Sequence, residues 1–406
     1  MFKRILFIIP IWLLLDFYFF QSLRSVTQSL PLLSRQTIHW VYWLFDIALI
    51  ATILFLIFVD SKFILPKYIF ILIGLVLLSL VPKILALPFL LLEDLTRLGQ
   101  YAIHFKEHTS YPHRRKFIGQ LILGISSLPF LAIIYGMAKG KYQYKIHRHT
   151  LFFEDLPHSF DGFTLTQLSD IHCGSFTDYE AVKQGIDLAN AQKSDLIVFT
   201  GDLVNNEAAE LAEWQNLFAR LRASYGVFSI LGNHDYGDYT QWPSSEAKAA
   251  NLEHLKAIQK EMGFRLLLDE HVKLEKDGQY INLVGVQNWG KNFAQYGDLA
   301  KAMATVAPDT FTVLLSHDPS HWDAQVRAYH LPIQLTLSGH THGMQFGVEI
   351  PWLRWSMVQY FYKQWAGLYR KGQQFLHVNR GFGFIGFSGR VGIWPEITVI
   401  TLKRKA

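Results

Sequence analysis

Four apolar segments crowd into the first 138 residues, roughly Ile5–Phe20, Ile38–Val59, Tyr68–Leu92 and Phe117–Ala138. No other feature limits the fold so sharply. A helix needs about 20 apolar residues to cross the roughly 30 Å of hydrocarbon in a bilayer. The second, third and fourth segments reach that length, while the first is shorter and holds Pro10 and Asp16. A cleaved signal peptide is the competing reading of the first, but no small-residue cleavage site follows Phe20 and three more apolar segments do. The expectation is an all-α transmembrane region of about four helices over residues 1–138.

Composition agrees with that division. The chain is 50% hydrophobic and only 17% charged, too apolar for an ordinary soluble protein of 406 residues. Trp40, Tyr42 and Trp43 have the character of an interfacial aromatic belt. Lys83 and Asp46 fall inside apolar segments, so they should face neighbouring helices, or in the case of Lys83 snorkel to an interface. The net charge of +5 fits basic membrane flanks, and no nucleic-acid partner is expected. A single cysteine, Cys173, excludes an intramolecular disulfide, and a small buried thiol is its expected role. Basic residues divide almost evenly between the two sides of a four-span topology. Arg114-Arg115-Lys116-Phe117, just before the fourth segment, resembles a twin-arginine export signal. On that reading the catalytic part of a multi-pass cell-membrane protein faces outward. The alternative is an ordinary basic flank.

After a linker with one strand, His147–Phe153, the pattern changes to that of a soluble α/β domain over residues 163–406. Apolar runs Phe163–Leu168, Leu196–Thr200, Val227–Leu231, Ile281–Val286, Phe311–Leu315 and Ile333–Leu337 read as strands of a covered sheet. Tyr179–Gln192, Ala208–Arg222 and Glu246–Met262 read as helices. Just beyond the strands come Asp170-Ile171-His172, Gly201-Asp202, Gly232-Asn233-His234-Asp235, Ser316-His317 and Gly339-His340-Thr341-His342. These are oxygen and nitrogen donors suited to divalent metals. They fall at the carboxyl ends of strands, where α/β sheets place their sites. Asp170 and His172, two apart in extended chain, would point the same way and reach one ion.

Taken in order, the five elements resemble the calcineurin-like binuclear metallophosphoesterase superfamily over about Thr164 to Leu402, and within it the membrane-anchored bacterial branch. That branch's Gly-His-Thr-His-Gly-Gly-Gln run stands here as Gly339 to Gln345, with Met344 in place of the second glycine. The tail Asn379-Arg380-Gly381-Phe382-Gly383 and Pro395-Glu396-Ile397-Thr398 is similar as well. The resemblance implies a four-layer α/β/β/α sandwich and two divalent metal ions, Mn, Fe, Zn or Co. One ion would be held by Asp170, His172, Asp202 and His342, the other by Asp202, Asn233, His317 and His340, with Asp202 bridging. A bridging hydroxide would then attack a phosphomonoester, phosphodiester or pyrophosphate. His234 would act on the transition state or leaving group, and Asp235 would orient it.

Other readings complete the expectation. Arg380 and Arg390, in a glycine-rich stretch, are candidates to contact substrate phosphate. Gly381-x-Gly383 lacks the strand–turn–helix context of a dinucleotide fingerprint. Between Pro351 and Lys371, Leu353, Met357, Tyr360, Phe361, Trp365 and Leu368 recur at helical spacing, which predicts an amphipathic helix. It would either pack on the core or lie in the bilayer surface. The expected partners are the bilayer and a phosphoester substrate, lipid-linked or envelope-derived given the tether. No protein partner is inferable. Alternatives are an enzyme like UDP-2,3-diacylglucosamine pyrophosphatase, which would need a cytoplasmic domain, and a non-catalytic membrane receptor or scaffold.

Overall fold

The computed structural model describes residues 2–58, 66–103 and 112–405, with side chains over 8–57, 66–102 and 116–405. The side chains of Arg114 and Arg115, on which the export-signal reading rests, lie outside these. The chain divides into two compact units, Met1–Ala138 and Lys139–Ala406.

Among its described residues the first unit has four helices: α1 (Phe2–Thr27), α2 (Leu32–Phe58), α3 (Pro66–Ile103) and α4 (Pro112–Ala138). Among the described residues, Leu32–Ile57, Pro66–Ala102 and Lys116–Ala138 are long and apolar enough to cross a membrane. α3 runs through Pro82 and Pro88 and outlasts the expected Leu92.

Three charged residues of these helices meet inside the bundle. Lys83 Nζ lies 2.5 Å from Asp16 Oδ1 and 2.6 Å from Asp46 Oδ2, and donates to Ser79 Oγ at 2.8 Å. All three charged residues are buried. Tyr42 does not join an interfacial belt, because its hydroxyl donates to the Asp16 carbonyl at 3.0 Å and its ring lies under Lys83. One ammonium thus ties together three helices, a contact with no water to replace it. Lys83→Met is expected to lower stability by about 3–5 kcal/mol, since it leaves two carboxylates facing each other. Thermal unfolding of the detergent-solubilised protein reads this, and adding Asp16→Asn and Asp46→Asn should restore most of the loss.

Among its described residues the second unit holds fourteen strands. In chain order they are β1 (Lys145–Phe153), β2 (Thr164–Leu168), β3 (Leu196–Phe199), β4 (Val227–Ser229), β5 (Phe264–Leu266), β6 (Glu270–Lys276) and β7 (Gln279–Gly285). There follow β8 (Thr312–Leu315), β9 (Leu335–Ser338), β10 (Gly347–Ile350), β11 (Leu353–Ser356), β12 (Gly367–Lys371), β13 (Gln374–Val378) and β14 (Glu396–Arg404). Two six-stranded sheets run β1-β14-β2-β3-β4-β5 and β12-β13-β9-β8-β7-β6, and β10-β11 form a separate ribbon. Inner neighbours are mostly parallel, with β14–β2, β12–β13 and β6–β7 antiparallel.

Strand parity explains why the sheets stack. On β3, Leu196 and Val198 enter one buried cluster with Leu283, Val313 and Leu335 of the other sheet. Ile197 and Phe199 enter another, with Val182 and Ile186 of the helix Tyr179–Ala191. On β8, Val313 and Leu315 face the first sheet, while Leu314 packs with Met303, Trp322 and Val326. Alternate residues of a strand point to opposite faces, so an all-apolar strand is buried on both. The result is the four-layer α/β/β/α sandwich.

Two expected helices fail. Ala208–Arg222 yields a 3-10 turn, Ala208–Leu211, and one α-turn, Gln215–Phe218. Glu210 folds back to accept from the amides of Asn205, Asn206 and Glu207, which stabilises a tight turn rather than a continuing helix. The expected Pro351–Lys371 helix is instead β11, a 3-10 turn Met357–Tyr360 and β12. Its polar side chains bond beyond helical reach, Ser356 Oγ to the Gly343 carbonyl thirteen residues back and Arg354 Nη1 to the Ala366 carbonyl twelve residues on, both at 2.7 Å. Tertiary bonds override the apolar spacing.

Candidate metal centre

The donors gather where β2, β3, β4, β8 and β9 end. Each strand stops short of its donor, and after β2, β3 and β9 the backbone then turns left-handed. Asp170, His172, Asp202, His340 and His342 have φ of 52°, 49°, 61°, 73° and 50°. Asp170 and His172 therefore sit beyond β2 in a turn, not on an extended segment. Left-handed backbone costs a non-glycine residue about 1–2 kcal/mol. Its concentration at these donors is the kind of strain that surrounding structure must hold in place. The flanking glycines make room for the approach. A Cβ on Gly232 would stand 2.3 Å from Asp202 Oδ1, and one on Gly339 would stand 2.1 Å from Asp170 Oδ2.

Two sets of ligand atoms result. Asp170, His172 and His342 form one, and Asp202, His317 and His340 the other, each within 4.8 Å mutually. Asp202 lies between them: its Oδ2 is 3.1 Å from His317 Nε2 and 3.6 Å from His172 Nε2. Asn233 Oδ1 is 2.8 Å from His340 Nδ1 and 3.1 Å from His317 Nε2. Outer contacts fix the rings. His317 Nδ1 lies 2.7 Å from the Thr200 carbonyl, and His340 Nε2 lies 2.9 Å from the Tyr362 hydroxyl, which donates to Asp318. Such partners orient ligand imidazoles.

The electrostatics fit a cation. Burial pushes His172 down to about 3 and His340 to about 4, so both are neutral donors. Burial opposes charge on His317 too, yet Asp202 and Asp170 outweigh it and push His317 up to about 10. Burial, with Asp202 close by, lifts Asp170 to about 7. Against the opposing effect of burial, His317 and His234 hold Asp202 well below the usual carboxylate range, so it stays an anionic donor. His172 Nδ1 and Nε2 and His342 Nε2 are buried with no hydrogen-bond partner. Buried polar atoms are rarely left so, and a bound ion is one explanation.

The family of calcineurin-like phosphoesterases matches residues 163–344, and the four-helix transmembrane domain of calcineurin-like phosphoesterases matches 3–141. The chain is 32% identical to an uncharacterised metallophosphoesterase, YkuE, of Bacillus subtilis, over 63% of this chain and 84% of that protein. The chain belongs to the calcineurin-like phosphoesterase family. It is 29% identical to a transmembrane protein with metallophosphoesterase domain of Danio rerio, over 70% of this chain and 63% of that protein. It is 26% identical to the UDP-2,3-diacylglucosamine pyrophosphatase LpxG of Chlamydia trachomatis, over 55% of this chain and 78% of that one.

Three expected roles do not hold in this phosphoesterase. Asp235 does not orient His234. Its carboxylate accepts from the amides of Gly232, Asp202 and Leu203 at 2.8 Å and of Val204 at 3.3 Å, and so ties the Asp202 loop to the Asn233 loop. His234 Nδ1 is instead held at 2.8 Å by the Asn205 carbonyl. Arg390 is fully buried, with its donors on the carbonyls of Gly383, Arg380 and Gly381 and its Nη2 3.2 Å from His342 Nδ1. Arg380 is buried between Glu396 and Glu349. Both arginines are thus committed to groups of the protein itself. Asn205, Asp318 and Tyr362 went unforeseen; of these, only Asp318 had a sequence signal, its position beside His317.

Met344 also occupies left-handed backbone, at φ 48°, and its side chain is 49% exposed. Met344→Gly should therefore stabilise the domain by up to about 1 kcal/mol, because the left-handed cost disappears with little burial lost. Denaturant unfolding of wild type and variant checks the sign.

Proposed function

We propose that this protein hydrolyses a phosphoester or pyrophosphate bond of a lipid-linked substrate at a binuclear metal centre. The observation that carries the reading is Asp202, whose carboxylate lies between two separate sets of buried ligands. Asp170, His172 and His342 would hold one ion, Asn233, His317 and His340 the other, and Asp202 both. Bound divalent ions neutralise phosphoryl charge and make water acidic enough to attack at neutral pH. Asp235 keeps the Asp202 and Asn233 loops in register. With Nδ1 committed to Asn205, His234 would turn Nε2 toward the leaving oxygen to serve it as a general acid.

The lipid-linked substrate class follows from the membrane unit, and the Chlamydia relative's name gives a second, narrower reading, a diacylated sugar-nucleotide pyrophosphate. That reading requires a cytoplasmic domain, whereas Arg114-Arg115 argues for an outward one. A reporter fused after Ala406 that works only outside the cytoplasm separates them. The activity is tested by incubating full-length purified protein with lipid phosphodiesters, sugar-nucleotide lipids and simple phosphomonoesters. Turnover abolished by chelation and restored by a divalent metal is expected. Tight metal binding without turnover of any of them would favour a receptor or scaffold.

A further inference from the structure

The stretch that follows the metal-ligand loop presents an apolar surface that hydrolysis does not use. In the β10–β11 ribbon Val348 stands opposite Trp355 and Ile350 opposite Leu353, while Glu349 stands opposite Arg354. Residues two apart on a strand share a face, so one face is wholly apolar and the other charged. The charged face is fastened to the domain by Glu349 with Arg380 and by Arg354 with the Ala366 carbonyl. The apolar face is uncovered: Val348, Ile350 and Leu353 are 40%, 41% and 47% exposed. Trp352 at the ribbon's tip is 83% exposed, and Tyr360 and Phe361 just beyond are 68% and 74% exposed. Elsewhere in this unit the exposed large apolar side chains Phe152, Tyr179, Leu188, Tyr239 and Tyr296 are scattered along the chain. A concentration of this kind marks an interaction surface.

Its chemistry selects the partner. From 344 to 371 the exposed charged residues are all basic, Arg354, Lys363, Arg370 and Lys371, and the one acidic residue, Glu349, is spent on Arg380. Tryptophan, tyrosine and lysine together suit the headgroup layer, and basic residues suit an anionic leaflet. The chain carries its own membrane-crossing helices, so a bilayer is always within tether reach. The surface is also wired to the metal residues. Tyr362, next to Phe361, bonds His340, and Thr341 Oγ1 donates to the Trp365 carbonyl at 2.6 Å.

We propose that the 344–363 surface docks on the bilayer, with Trp352 in the headgroup region, and that it presents a membrane-lipid phosphoester to the metal residues. Docking stands apart from the phosphoesterase reading; the lipid substrate rests on it. Cys173 is the sole cysteine and is buried, so Trp352→Cys offers one labelling position in the full-length protein. The labelled protein is placed in nanodiscs of phosphatidylcholine and phosphatidylglycerol. An environment-sensitive fluorophore there should be quenched by nitroxide-bearing lipid and little affected by aqueous iodide, with the reverse for a label at Phe152→Cys, exposed near the end of β1. Quenching at position 352 by iodide alone, or by neither agent, overturns docking. Trp352→Ser with Phe361→Ser should raise KM for a lipid phosphoester about tenfold, a loss of about 1.4 kcal/mol, and leave a soluble phosphoester unchanged. Equal losses on both substrates overturn the presentation role. A bilayer-seated label without turnover of any phosphoester would retain docking and reject the enzyme reading.

Discussion

Asp202→Asn is expected to abolish most activity, by more than about 10²-fold, and to lower occupancy at both metal positions together. Mutations of mere outer-shell partners of metal ligands already cost about 10–100-fold. Asp202 is closer in: its Oδ2 faces His317 and His172 across the two ligand sets, and its Oδ1 accepts from the His234 amide at 2.8 Å. The asparagine retains shape and loses the shared negative charge that lets two cations sit side by side. Metal analysis of the purified variant, beside kinetics, reads both effects. Two ions bound normally would remove Asp202 from the bridging position.

His234→Asn should separate the two quantities. Its ring belongs to neither ligand set, and Nδ1 is occupied by the Asn205 carbonyl. Both metals should therefore remain while kcat falls roughly 10²–10⁴-fold, the range for a lost general acid. The fall should shrink for substrates with a good leaving group, which need no proton. A variant that loses a metal would make His234 a ligand instead.

Much of this was legible before any coordinates. The seven candidate ligands could be picked out because each follows a buried, mostly apolar strand, and such a strand ends at a place where a cluster of polar donors calls for a purpose. The sandwich was legible only through the family resemblance. β6, with Glu270, Lys273, Glu275 and Lys276 along it, shows no apolar run at all, and its single buried residue is Leu274. Local spacing misled most between Pro351 and Lys371, where helical periodicity arose by coincidence and the backbone followed hydrogen bonds to residues twelve and thirteen positions away. Arginines were misread for a related reason. In sequence, Arg380 and Arg390 are free cations; in the fold, two carboxylates and a set of carbonyls consume them. Asp235 shows the same ambiguity: a carboxylate beside a histidine can serve the ring or the backbone, and here four amides claim it.

The left-handed donors set the protein's robustness against its purpose. At Asp170, His172, Asp202, His340 and His342 a glycine would adopt the observed backbone at ease. It would also delete a ligand and, at Asp170 and Asp202, a buried carboxylate. In the absence of metal, an inactive His172→Gly variant, which sheds strained backbone and a buried ring with no hydrogen-bond partner, should melt higher than the working protein, whereas Asp202→Gly should melt lower because His317 loses the carboxylate paired with it. Screening libraries of this chain for heat tolerance alone would then enrich for loss of its site, a direct form of the opposition between stability and activity. Any stabilised version is better selected with divalent metal present, where the ligands' own binding energy restores the advantage to the functional sequence.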